Sequence, residues 1–204
     1  MKLYERLPDS IKVGRRRFKV DLDFRNVLRL MDALDADDVL PRAREYRALR
    51  CVMRRPPRDT AKALEAVKAI CFPAIRKRAE DGEGSSQRLT SFEQDADLIR
   101  AAFRQVYGID LWRDRVHWVE FSALLAALPE GSRYTETVDI RARPMPKATK
   151  YNADEREWLA KAKASCALRL DDKEQARAYD SAVRNVFATL AGLAAKSGES
   201  DDNG

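Results

Sequence analysis

FEQDADLIRAAFRQVYGIDLWRDRVHWVEF, Phe92 to Phe121, decides how the chain is read. It holds the single histidine and two of the three tryptophans, so it is either a reaction centre or the corner of a fold. Ala96, Ile99, Phe103 and Val106 recur at helical spacing and predict a buried stripe. Upstream, Ser91 with Gln94, or Thr90 with Glu93, has capping-box spacing. Gly108 fits the left-handed position just past a helix end. A tight turn follows, and a further helix is expected from about Arg115 to Leu128. His117 falls in line with Phe121, Leu124 and Leu128 and is read as a core histidine bonded to a backbone carbonyl or a carboxylate.

The carboxylates of this stretch have simple structural roles. Asp95 and Asp97 suit the positive end of a helix dipole. Asp110 is placed to cap the next turn and Asp114 to cap the following helix. Trp118 reads as a packing anchor, while Trp112, in the turn, stays open between packing and an interface.

The pattern extends in both directions. SIKVGRRRFKVD alternates Ile11 and Val13 with Phe18 and Val20 about Gly14, which predicts a β-hairpin. The period turns helical at Asp21, with Phe24, Val27, Leu28, Met31 and Leu34 on one face and Asp21 or Asp23 as cap. A second helix is expected from about Asp38 to Met53, with Tyr46, Leu49, Val52 and Met53 inward. RRPPRD (54–59) breaks it. A third begins near Asp59 or Thr60, carries Leu64, Val67 and Cys71, and ends or kinks at Pro73. EDGEGSSQR (80–88) is the clearest linker. RYTETVDIRARPMP (133–146) carries one or two helical turns. Trp158, Leu159, Ala162 and Cys166 mark the next helix, and Asp172 to Ala195 a last one with Tyr179, Val183, Val186, Leu190 and Leu193 on one face.

The expected fold is mainly α: a compact bundle of about six to seven helices with a short N-terminal hairpin. Residues 1–145 form the hairpin and helical core, 146–196 a helical extension, and 197–204 a disordered tail.

Composition narrows the function classes. The chain has 204 residues, 45% hydrophobic and 35% charged, with a net charge of +6. Acids are interspersed with the bases, so a well-solvated surface is a better reading than a nucleic-acid footprint. Three cysteines without a CxxC pair, beside one histidine, disfavour a zinc site and fit reduced thiols. MKLYERLPDS lacks the apolar core of a signal peptide, and no stretch approaches the roughly 20 apolar residues of a membrane span. A soluble cytoplasmic protein without cofactor or metal is expected. No P-loop, GxGxxG, GxSxG or HExxH pattern occurs, so an enzyme is not expected.

The same residues resemble the core of the bacteriophage gene-product-fifteen family. Phe92, Asp95, Ile99, Ala102, Phe103, Tyr107, Gly108, Ile109, Asp110 and Leu111 match its first segment. His117, Trp118, Phe121, Leu124, Leu125 and Leu128 match its second, and Ile140 and Arg141 its I-R element. Asp23, Phe24 and Arg25 match a DFR helix start. Leu22 departs from the small residue common before DFR, which points to Asp21 as the cap. The match covers about residues 7–170. The resemblance implies phage or prophage origin, in the host cytoplasm, and a part in tail morphogenesis, as a chaperone that coats the tape measure protein. It supplies no catalytic residue. Self-association suits such a role, and Trp112, Arg141 and Arg143 are the candidate interaction surface. A nucleic-acid-binding regulator using Arg15, Arg16, Arg17 and the arginines of RCVMRRPPR, or a structural tail component, is the alternative.

Overall fold

A computed structural model describes residues 4–36, 39–72 and 89–169. These fall in two compact units, divided between Arg143 and Pro144. The expected linker at 80–88, the stop at Pro73, the helix at 172–195 and the tail lie outside the described residues.

Unit one opens with the hairpin, β1 (Ser10–Val13) and β2 (Arg16–Lys19), paired antiparallel with Ile11 opposite Phe18. Gly14 has a φ of 60° while Arg15 stays at negative φ. That combination is the type II′ pattern, whose twist matches the strands and which favours glycine at its first central position.

Among the described residues, six helices follow in this unit: α1 (Phe24–Asp35), α2 (Pro41–Val52), α3 (Thr60–Cys71), α4 (Ala96–Tyr107), α5 (Trp118–Ala126) and α6 (Arg133–Ala142). Short polar side chains start most of them. Asp59 accepts from the Lys62 amide at 3.2 Å, and Ser132 from that of Thr135 at 3.2 Å. The α2 helix uses a proline in its first turn, where a missing N–H costs nothing. Gly108, at φ 69°, closes α4 as expected. The mainly helical architecture with its N-terminal hairpin is therefore the one the sequence led to.

Several local expectations are corrected. Tyr46 is half exposed, while Leu49, Val52 and Met53 are buried. Val106 faces solvent and Ala102 takes its place in the buried stripe of α4. The α6 segment makes nearly three turns instead of one or two, because Ser132 caps it and Tyr134 and Thr137 are buried. The α5 helix starts three residues later than expected, at Trp118.

One hydrophobic cluster unites the hairpin with these six helices. Val27, Leu30, Leu49, Val67 and Phe103 are fully buried within it. α1 packs along α2, α3 packs on β1, and α5 lies against α1 and α3.

Unit two contains α7 (Ala153–Cys166). Leu159 is buried, and its sequence neighbour Trp158 is 56% exposed. Asn152 ties the turn before α7, its side chain accepting from the Thr149 amide at 2.8 Å and donating to the Lys147 carbonyl at 2.9 Å.

Candidate functional site

The two stretches that carry the family resemblance meet at two helix starts. Asp23 and His117 face each other in an isolated antiparallel bridge. The Phe24 amide donates to the Val116 carbonyl at 2.9 Å, and the Trp118 amide to the Leu22 carbonyl at 2.7 Å. Four orphan amides at each helix start need partners. Here the chain ahead of each helix supplies one to the other.

His117 is the cap of α5, a correction to its reading as a residue inside the helix. Its Nδ1 accepts from the Val119 amide at 3.2 Å, and its Nε2 lies 3.1 Å from the Pro8 carbonyl. An accepting Nδ1 puts the proton on Nε2, which then donates to Pro8. The expected backbone carbonyl partner is thus present, and both ring nitrogens are occupied. Asp114, expected to be this cap, instead accepts from the Asp110 amide at 2.8 Å. Asp110 does cap its own turn, accepting from the Trp112 amide at 3.0 Å.

On the opposite helix start, Asp23 accepts from the Arg25 amide at 3.1 Å and caps α1. Leu22 is buried, and Asp21 is not the cap. Arg25 joins the two stretches. Its guanidinium pairs with Asp23 at 2.9 Å and donates to the Trp112 carbonyl at 3.1 Å and the Asp114 carbonyl at 2.8 Å. The Asp23 hydrogen bond raises the Arg25 pKa further. Arg115 reaches Asp21 at 2.7 Å. Burial pushes the Asp21 carboxyl upward, but bonds from Arg115 and the Asp23 amide outweigh it and leave its pKa below the ordinary value. A cleft of about 240 Å³ runs along this seam, and Asp21, Asp23, Arg115 and His117 on its wall are already engaged in the bonds above.

A second knot lies at the start of α4. Ser91 Oγ accepts from the Gln94 amide at 3.2 Å, and the Ser91 amide donates to Asp95 at 2.9 Å. The reciprocal cap therefore closes through Asp95, not Gln94. Arg141 grips both oxygens of Asp95 at 2.8 Å each, and donates to the Leu89 carbonyl at 2.9 Å. Their side chains are only 10% and 2% exposed. Asp95 thus does more than answer a helix dipole, and Arg141 is not a surface contact: the pair fastens α6 to α4. Arg143, two residues on, is exposed.

The aromatic motif residues fill the space between the knots. Phe121 stacks on Phe24 at 4.7 Å and on Phe103 at 5.1 Å. Trp118 is buried and donates through Nε1 to the Cys71 carbonyl at 2.8 Å. Phe92 meets it edge-on at 5.9 Å. Ile99 and Leu111 are buried, Ile109 partly so. Tyr107 donates to the Leu124 carbonyl at 2.9 Å. Burial pushes the Cys71 thiol up to about 12, so it stays protonated at neutral pH. Trp112 is the exception. It is 72% exposed, with the Arg100 guanidinium 4.5 Å above its ring.

The open features lie elsewhere. A groove of about 810 Å³ runs between the hairpin, α1 and α3. Val13, Met31, Leu34, Ala66, Ala69 and Phe72 line its apolar part, and Lys12, Asp35, Lys62, Glu65 and Lys68 its rim. Met31 and Leu34 were expected in the core stripe of the first helix, yet both stay half-buried. Helical periodicity marks an apolar stripe without telling how much of it is covered.

Among the described residues, no group of three or more His, Cys, Asp or Glu side chains is placed to hold a metal ion. No helix among them is long and apolar enough to cross a membrane.

This geometry defines a hairpin-led helical protein whose motif residues build its frame. The family model described as Bacteriophage Gp15 protein matches residues 3–168, and the chain belongs to that family. No curated protein and no solved structure matches it.

Proposed function

We propose that this phage protein acts in tail assembly as a non-catalytic chaperone, holding the tape measure protein in the host cytoplasm until the tail tube forms. Family membership supports the phage origin. The observation that carries the chaperone reading is the groove between the hairpin, α1 and α3. Its floor is apolar and its rim carries both signs of charge. That suits the face of an amphipathic client helix, which would lay its apolar anchors inside and its charges along the edge. A tape measure protein is long and helix-rich, and weak repeated contacts by many copies would keep it dispersed.

The test is co-expression with the neighbouring tape measure protein, then size-exclusion chromatography with light scattering. A soluble complex with several copies per client supports the reading. An insoluble client beside free, monodisperse protein contradicts it.

A further inference from the structure

We infer that a second, separate surface, the cationic cleft between β2 and the α2–α3 connection, docks an extended, carboxylate-rich polypeptide segment. The cleft, about 440 Å³, is lined by Arg17, Phe18, Lys19, Arg54 and Arg55. Its four cations come from two basic runs more than thirty residues apart in sequence, which the fold brings together. Among the described residues, no acidic side chain lines it. Among the described residues, none of the four forms an ion pair, whereas Arg25, Arg100, Arg115, Arg133 and Arg141 elsewhere each have a carboxylate partner. Arg50 donates to the Arg54 carbonyl in this connection.

Charge on an edge strand often serves only to prevent strand pairing. That accounts for Arg17 and Lys19. It does not account for Arg54 and Arg55 facing them from a loop, where like charges gathered without counter-ions raise the local potential and favour an anionic partner. The partner's form follows from the strand. β2 pairs only with β1, so among the described residues its other edge has no strand neighbour. An extended segment can add there through main-chain hydrogen bonds while its carboxylates meet the guanidinium forks. Single-stranded nucleic acid is the weaker fit. Phe18 is the one aromatic ring among the described lining residues and is itself partly buried against the core, which leaves little ring face for the base stacking that such binding normally uses.

The full-length protein would be titrated by fluorescence anisotropy with a labelled glutamate-rich peptide and, separately, with a labelled oligothymidylate of equal charge. Both would be measured at low and at physiological salt. The peptide is expected to bind the more tightly of the two. The double substitution Arg54→Glu, Arg55→Glu should weaken it by about tenfold or more, while Arg113→Glu, Arg133→Glu, an equal change of net charge at exposed sites elsewhere, should leave it nearly unchanged. Tighter binding of the oligonucleotide would overturn the inference in favour of a phosphate site. Equal loss in both double variants, or no peptide binding at low salt, would overturn it too. Circular dichroism of each variant separates loss of binding from loss of fold.

Discussion

The segment from Ser91 to Arg141 and the face formed by the hairpin, α1 and α3 spend their apolar residues in opposite ways. In the first, Phe103, Phe121 and Trp118 are almost wholly buried, and the polar motif residues Asp95 and Arg141 are closed on each other. In the second, Met31, Leu34 and Phe72 are left half-covered along a groove. The segment from Ser91 to Arg141 is thus the frame of the molecule. The surfaces open to a partner are built largely from residues outside it.

That contrast can be broken by substitution. Phe121→Ala should cost the most, about 3–5 kcal/mol, since it removes a ring stacked on two others and leaves a cavity. A loss below about 1 kcal/mol in urea denaturation would show that the aromatic cluster does not carry the fold. Arg141→Ala should come close behind, at roughly 3–5 kcal/mol, because it removes a two-pronged guanidinium from a buried carboxylate. Adding Asp95→Asn to that variant should recover part of the loss, since a neutral amide is cheaper than a carboxylate to bury without the Arg141 guanidinium. If the second change makes matters worse, the pair is not what joins α6 to α4.

Smaller effects sharpen the comparison. His117→Ala should cost about 1 kcal/mol through loss of the α5 cap, and His117→Asn much less, because asparagine also caps. Equal losses would show that the Pro8 contact matters more than the cap. Leu34→Asp, in the groove, should change stability by only about 1 kcal/mol and yet abolish client binding. Smallest is the effect of Asp21, whose exposed bond to Arg115 holds its pKa below the ordinary value. A carboxyl lowered in the folded state stabilises above its unfolded pKa, about 3.9, and loses that contribution as pH falls through the folded value. The melting temperatures of wild type and Asp21→Asn should therefore differ above about pH 4 and converge below it. A constant offset would contradict the bond's role.

What the sequence revealed followed from local chemistry. Strict alternation about Gly14 specified the hairpin, and helical spacing with short polar caps specified α1, α3 and α4. Gly108 was legible because few other residues tolerate its left-handed backbone. The errors share a cause as well. His117 shares the spacing of the α5 stripe, so periodicity ran the helix past its true start, and aspartate's stronger capping preference pointed to Asp114. The Asp95–Arg141 pair joins residues 46 apart in sequence, and nothing local announces it. The groove was hidden for a further reason. Met31 and Leu34 look like core residues, and only the tertiary arrangement shows that they are left partly uncovered.

The central claim is that the motif segment builds the frame while the groove holds the client. Co-purification of the tape measure protein with wild type and with Leu34→Asp, each checked by circular dichroism, tests it most directly. Wild type is expected to bring the client into solution, while the folded Leu34→Asp protein elutes alone and the client precipitates. A folded Leu34→Asp protein that still carries the client at wild-type stoichiometry would contradict it.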